Sequence, residues 1–247
     1  MEETSLRRNA ELYNDMNYFR NDPVEVVHRC TSSHDIEVMG IVCSWLAFGN
    51  RLQIHKRCEF SLELMNGYPY EYLMSEAWRI YRDSNQNYYR MLFYRDFHDL
   101  MLSLYNIYKE YDSMEDALLA EGEITDSVQL VKRLLSLFHC AGIPRNATSA
   151  CKRVVMFLRW MVRRDHKVDF GIWQRIDPRL LLIPLDVHVL NIARAEGLIT
   201  RHSADMKAAL ELASHARRLF PNDPAIMDYA LFTLDYERSC GETINTD

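Results

Sequence analysis

Apolar residues recur every three to four positions along most of the chain, which is the spacing of an amphipathic α-helix. The first such segments predict helices over residues 3–19, 24–30 and 35–48. The second has a clear start, because Asp22 is a good N-cap and Pro23 suits the first helical turn. The third is almost wholly apolar in its second half, so we expect it to be buried at the centre of the fold and to stop at Gly49.

The same spacing continues toward the C terminus. It predicts further helices over residues 51–66, 97–111, 113–120, 125–138, 203–219 and 224–234. Asp112-Ser113 and Thr125-Asp126 are suitable caps for the helices at 113–120 and 125–138. Asn222-Asp223 should cap the last of these ahead of Pro224, and residues from 239 onward should fray. A tyrosine-rich stretch, residues 68–95, predicts a short helix from Pro69 and one or two more.

No internal repeat and no linker rich in glycine, serine or proline divides these segments. The 247 residues include only 8 glycines and 7 prolines, whereas a sheet-rich protein of this length needs many tight turns. We therefore predict one globular all-α domain over residues 1–247, with two helical lobes around a cleft as the alternative.

Composition and charge limit the functions that the chain can have. Hydrophobic residues make up 48% of the chain and charged residues 26%, which is typical of a globular protein and not of a disordered one. The net charge of −6 repels phosphate, so nucleic-acid binding requires a local basic patch.

The six cysteines contain no C-x-x-C pair, so the sequence predicts neither a zinc ribbon nor an iron–sulfur loop. Four of them fall within apolar helical patterns, as buried free thiols do in a reducing compartment. The N terminus is polar, and no apolar run approaches the ~18–20 residues of a membrane span. We expect a cytoplasmic protein without a membrane segment, a metal or another cofactor.

The stretch from Ala141 to Arg194 has the densest positive charge. Between residues 145 and 167 there is one acid, Asp165, and there are seven basic residues, namely Arg145, Lys152, Arg153, Arg159, Arg163, Arg164 and Lys167. One interpretation is a solvated helix face whose alkyl stems cover the core. The other is a phosphate-binding face, to which Thr148 and Ser149 at the predicted helix start would add hydroxyl and amide donors.

Lys152 falls in the first turns of that predicted helix, directly before an apolar run. The helix dipole disfavours a positive charge at this position, and a neutral amine is the form that attacks a carbon centre. Lys152 is therefore a candidate nucleophile, with an ordinary surface lysine as the alternative.

Asp186 follows the apolar run LLLIPL and precedes VHVLNIAR, so it is placed as a helix N-cap. The same position would hold a carboxylate at the floor of a cleft. His188 lies two residues further on, but no third ligand is evident, so a metal pair is not favoured.

The segments WLAFGNR, SACKRVVMFLRWMVRRD, VDFGIW, LIPLDVHVLNIAR and DYALFTL resemble the signature of a bacterial family of conserved proteins of unknown function, over roughly residues 20–236. The order of a hairpin, a helix with an early lysine, and an aspartate that opens the next helix is also similar to helix-hairpin-helix DNA glycosylases. The branch with a long lysine-to-aspartate spacing, the archaeal 8-oxoguanine glycosylases, looks closest. The chain departs from the usual motif in two ways: its hairpin, residues 141–145, has one glycine, and 34 positions separate the lysine from the aspartate.

That resemblance implies a helix-hairpin-helix glycosylase-like fold and a base-excision glycosylase/AP lyase that acts on a damaged base, with an oxidised purine as the candidate. By position, Lys152 would form the Schiff base and Asp186 would assist it. The residues expected to contact DNA are Asn50, Arg51, Arg145, Ser149, Arg153, Trp160 and His188. The residues expected to line a base pocket are Phe157, Trp160, Phe170 and Trp173, for which core packing is the alternative.

Two other functions stay open at this point. The chain could be a non-catalytic nucleic-acid-binding module that shares the fold, which would bind DNA in a salt-dependent way without a covalent adduct. It could also be a protein–protein scaffold that uses the tyrosine-rich segment as its interface.

Overall fold

The computed structural model describes residues 3–232, which are mostly helical, as the apolar pattern predicts. In chain order the elements are α1 (Glu3–Tyr13), α2 (Pro23–Val27), α3 (Ser33–Leu46), α4 (Arg51–Leu64), α5 (Pro69–Met74), β1 (Asn87–Tyr89), β2 (Leu92–Phe93), α6 (Tyr94–Glu110), α7 (Met114–Leu119), α8 (Ser127–Ser136), α9 (Lys152–Val162), α10 (Val187–Ala195) and α11 (Met206–Leu219). Short 3₁₀ helices at Met16–Phe19, Ala77–Tyr81, Pro178–Leu180 and Pro224–Ile226 join them, and residues 227–232 are again helical. The predicted last turn to residue 234 and the predicted fraying from residue 239 lie outside the described residues.

The chain divides into two compact units. Unit 1 combines Met1–Tyr18 with Ala147–Asp247, and unit 2 is Phe19–Asn146. Unit 1 therefore contains α1 together with α9, α10 and α11, whereas unit 2 contains α2 to α8 and both strands.

The starts of α2 and α7 follow the predicted capping residues. The Asp22 carboxylate accepts a hydrogen bond from the Val24 amide (3.1 Å) at the start of α2. The Ser113 hydroxyl accepts one from the Asp116 amide (3.1 Å) at the start of α7. These side chains satisfy amides that have no partner within the helix, so the local sequence alone sets where each helix begins.

Helix α3 forms the buried centre of unit 2, as predicted, with every residue from Ile36 to Leu46 buried. It ends at Leu46, three residues before the predicted stop at Gly49. The indole of Trp45 donates a hydrogen bond to the Ala141 carbonyl (2.7 Å), and Gly142 packs directly against the same ring.

The tyrosine-rich stretch contains the predicted helices and also a hairpin that was not predicted. Pro69 starts α5 and a 3₁₀ helix follows at Ala77–Tyr81, after which β1 and β2 form an antiparallel hairpin. The Tyr88 ring of β1 is fully buried and stacks on Phe97 with centroids 4.9 Å apart. The two strands are only three and two residues long, which is too short for a periodic pattern in the sequence to distinguish a strand from a helix.

The start of α9 also differs from the prediction, which placed its cap at Thr148 or Ser149. Ser149 instead pairs with Asp205 in an isolated antiparallel bridge, and the Met206 amide donates to the Thr148 carbonyl (3.1 Å). Cys151 adopts a left-handed conformation (φ +50°), so the helix begins at Lys152. Backbone pairing across more than 50 residues thus overrides the local capping signal.

Candidate active site

Lys152 and Asp186 come together in unit 1. The Lys152 Nζ atom lies 2.5 Å from Asp186 Oδ2, although 34 residues separate them along the chain. The side chains of Lys152 and Asp186 are 41% and 29% exposed, so the pair is open to solvent on one side. An amine and a carboxylate in direct contact at an accessible position can exchange a proton with each other or with a bound molecule.

Local structure fixes both partners. Lys152 is the first residue of α9, and its position follows from the left-handed turn at Cys151. Asp186 follows a fully buried run, residues 181–185, and is the N-cap of α10. Its Oδ1 atom accepts the Val189 amide at 2.9 Å, which leaves Oδ2 for the lysine. The cap therefore holds the carboxylate in one orientation, as the sequence predicts for this position.

The environment of Asp186 favours its charged form. Partial burial acts to raise the pKa of this carboxyl, but the hydrogen bond and charge of Lys152 outweigh burial and hold the pKa below its ordinary value. The Val189 amide and the charge of the exposed His188 lower this pKa further. Asp186 is thus an ionised acceptor rather than a proton donor near neutral pH.

Two of the seven basic residues of the predicted face, Arg159 and Arg163, are internal, so for these two the phosphate-binding prediction is wrong. Arg159 and Arg163 are only 4% and 2% exposed. Arg164 is exposed but donates to the backbone carbonyls of Gln174 (2.6 Å) and Ile176 (3.0 Å). Basic residues at helical spacing resemble a surface stripe in the sequence, which does not show that carboxylates far along the chain cover them.

Asp169 is the centre of this buried ionic network and is fully buried itself. It accepts hydrogen bonds from Arg159 Nε (3.1 Å), Arg163 Nη1 (3.0 Å) and the Tyr229 hydroxyl (2.7 Å). Arg163 also pairs with Asp165 and, through Nε, with both oxygens of Asp223 (2.9 and 3.0 Å). Asp223 therefore bonds to α9 and does not cap the last helix through its side chain, which corrects the prediction for Asn222-Asp223.

Asp228 is a site residue that the sequence reasoning missed. It lies in the helical residues 227–232, where its carboxylate accepts a hydrogen bond from Arg159 Nη1. Burial raises its pKa to about 6, against the opposing charges of Arg159 and Lys152. The signal that could have found it is its place at the start of DYALFTL, one of the segments that carry the family resemblance.

The predicted base-pocket aromatics lie mainly in the core. Phe157, Trp160 and Trp173 are each at most 1% exposed, and Phe157 and Trp173 pack edge to face at 5.6 Å. Trp160 therefore does not present a surface for DNA, and the core-packing alternative is correct for these three residues. Phe170 is half-buried.

The remaining predicted contact residues are placed as follows. In unit 1, His188 is exposed, Arg153 is half-exposed on α9, and the exposed Ser149 accepts the Cys151 amide (3.4 Å). In unit 2, Asn50 caps α4 by accepting the Gln53 amide (3.2 Å), and Arg51 pairs with Asp22 (3.3 Å). Arg145 is exposed, also in unit 2.

Within residues 3–232, no group of three or more histidines, cysteines, aspartates or glutamates is arranged to hold a metal ion. The same residues include no helix that is both long enough and apolar enough to cross a membrane.

Comparison with known proteins identifies one family. The model of a family described as a protein of unknown function, DUF2400, matches residues 22–237. Searches of the curated proteins and of the solved structures found no match.

Proposed function

Because the chain belongs to the DUF2400 family, a family of unknown function, we propose its activity from its own residues: it is a DNA base-excision glycosylase and AP lyase that acts through a Schiff base on Lys152. The contact between Lys152 and Asp186 carries this proposal. An accessible amine held against an ionised carboxylate at the start of a helix is the arrangement that the resemblance to helix-hairpin-helix glycosylases implies.

In the proposed reaction the Lys152 amine attacks C1′ of a nucleotide that has left the base stack. The C–N bond between sugar and base breaks, and the base departs as it takes up a proton. The sugar ring opens, so that C1′ and the lysine nitrogen are joined as a cationic imine, from which strand cleavage follows. Asp186 accepts the proton of the lysine ammonium and passes it to the departing base. Ionised again, Asp186 stabilises the positive charge on the sugar and the imine.

The proposal includes a helix-hairpin-helix glycosylase-like fold. It also includes a role for cations outside the buried network in binding the DNA backbone. In unit 1 these are Arg153 and Lys167, which are half-exposed and exposed. An oxidised purine is the proposed base.

The test is reductive trapping. Oligonucleotides with an abasic site, uracil or 8-oxoguanine are incubated with the full-length protein and borohydride, and the covalent adduct is measured. We expect an adduct with the wild-type protein and none with Lys152→Ala. Lys207→Ala is the matched control, because Lys207 is likewise an accessible lysine in the first turn of a helix, α11.

A second pair of variants tests the charge of Asp186 separately from its role as a helix N-cap. Asparagine is as good an N-cap as aspartate, so Asp186→Asn should fold while its trapping rate falls by about 10²–10⁴-fold. Asp205→Asn changes the equivalent cap of α11, which pairs with Arg201 (2.7 Å), and should leave trapping intact.

The alternatives predict different results in the same assay. Undiminished trapping by Lys152→Ala would reject the lysine as nucleophile. Salt-dependent DNA binding by the wild-type protein without any adduct would favour the binding module, and the absence of both would favour the scaffold.

A further inference from the structure

The Lys152–Asp186 pair is continuous with a second ion pair along one face of α9. Lys152 and Arg159 are seven residues apart, which is two helical turns and about 10 Å along the axis, so their side chains leave α9 on the same face. Lys152 binds Asp186 from the start of α10, and Arg159 binds Asp228 from residues 227–232. Exposure falls along this face, from 41% for the Lys152 side chain to 4% for that of Arg159.

Asp228 lies where the accessible pair meets the buried network. Its side chain is 19% exposed, whereas Asp169, the other carboxylate on Arg159, is fully buried. The charged groups that act on Asp228 come from each element around it: Lys152 and Arg159 from α9, Asp169 from the segment after α9, and Asp186 from the start of α10.

Charge at this place is not balanced. In the described part of the chain, the groups joined by these ion pairs are three cations, Lys152, Arg159 and Arg163, and five carboxylates, Asp165, Asp169, Asp186, Asp223 and Asp228. With all five carboxylates ionised the groups carry two net negative charges, and protonation of Asp228 leaves one. A positive charge on a bound molecule would reduce this excess.

We infer that Asp228 is a positioning residue of this site, whose ionisation supplies the negative charge that stabilises a cationic sugar or imine formed at Lys152. The inference rests on the proposed function, because the cation is the one that the Schiff-base reaction creates. Asp228 acts through charge and makes no bond to the reacting atoms. The lowered pKa of Asp186 keeps this carboxyl ionised in the resting pair, while the raised pKa of Asp228, about 6, lets Asp228 change charge in the physiological range.

Carboxyl NMR titration tests the coupling without any substrate. The ¹³C resonance of the Asp228 carboxyl is followed against pH in the wild-type protein, in Lys152→Met and in Asp186→Asn. Loss of the lysine charge should raise the Asp228 midpoint and loss of the Asp186 charge should lower it, each by roughly half a pH unit or more. Midpoints that stay in place in both variants would overturn the inference.

The pH profile of trapping gives the second readout, with cyanoborohydride as the reductant because it survives acid. Wild-type trapping of abasic DNA should rise as the pH increases through about 6. Asp228→Asn should lose this step and trap on the order of tenfold more slowly above pH 7, a smaller loss than the 10²–10³-fold of a direct contact. Asp223→Asn is the matched control, because Asp223 pairs with Arg163 one turn further along α9 and should leave the step in place.

The outcomes separate the two proposals. If the wild-type protein forms no adduct, the proposed function fails, and the titration still decides whether Asp228 is coupled to the pair. If the midpoints move but Asp228→Asn traps with the wild-type pH profile, Asp228 has no role in the reaction and the inference is rejected.

Discussion

Replacing Asp169 with asparagine should be among the most destabilising conservative changes in unit 1. The carboxylate is fully buried and accepts three hydrogen bonds, two from arginines that are themselves at most 4% exposed. Asparagine keeps the shape but removes the charge, and it offers one acceptor oxygen where the carboxylate offers two. One of the two guanidinium groups then faces an N–H group instead of an oxygen.

The decrease in the free energy of unfolding can be estimated from the burial of Asp169. Removing one partner from a buried ion pair costs about 3–5 kcal/mol, because a charge is left without compensation where water cannot reach it. Adding up the three hydrogen bonds to the charged carboxylate would give a larger loss, but the amide oxygen of asparagine keeps some of these bonds. We therefore expect the free energy of unfolding to fall by about 3 kcal/mol. That is a large share of a total stability of about 5–15 kcal/mol.

Urea denaturation, followed by circular dichroism at constant pH, measures this loss. Asp177→Asn is the control: Asp177 pairs with Arg179 at 2.5 Å, but both side chains are more than one-third exposed, so the loss should be about 0–1 kcal/mol. Equal and small losses for the two variants would refute the claim that burial makes the Asp169 network strong.

Two further stability measurements follow from the same structure. Gly142→Ala should lower the free energy of unfolding more than Gly122→Ala does, although both glycines have positive φ (+86° and +98°). The reason is that a Cβ at Gly142 would lie 2.5 Å from the Trp45 indole nitrogen, whereas the space at Gly122 is open. Urea midpoints of the two variants measure the difference, and equal losses of stability would argue against the contact. Asp228 has a folded-state pKa raised to about 6 from 3.8, so its contribution to the free energy of unfolding is greatest below about pH 4 and falls by up to about 3 kcal/mol as the pH rises through 6. Asp228→Asn should therefore lower the free energy of unfolding less at pH 7.5 than at pH 4.5, as measured by urea denaturation at each pH. An equal decrease at both pH values would show that the carboxyl titrates normally.

The sequence predicts those features that depend on neighbouring residues. Asp22, Ser113 and Asp186 lie directly before apolar helical runs, and each caps the helix that follows. The pattern of α3 predicts its burial for the same reason, since a helix that is apolar on every side has no face for solvent. Lys152 and Asp186 were paired from the sequence only through a family resemblance, because no local rule joins residues 34 positions apart.

Features that depend on distant partners were missed. Arg159 and Arg163 have the spacing of a surface stripe, and only the approach of Asp169, Asp223 and Asp228 places them inside. The start of α9 was misplaced because the bridge between Ser149 and Asp205 is set by chain segments more than 50 residues apart. In each case the local pattern was compatible with two structures, and tertiary pairing selected one of them.

Unit 1 is assembled from two segments that flank unit 2 in the sequence, and this has a consequence during synthesis. Helix α1 is made before unit 2, yet the nearby Asn14 hydrogen-bonds to Arg163, which is translated 149 residues later. At about 5–20 residues per second, that interval lasts roughly 7–30 s. During that time the apolar side of α1, with Leu6 and Ala10, lacks its native surroundings, while unit 2 is synthesised. A nascent chain of this protein therefore offers chaperones an early target at α1.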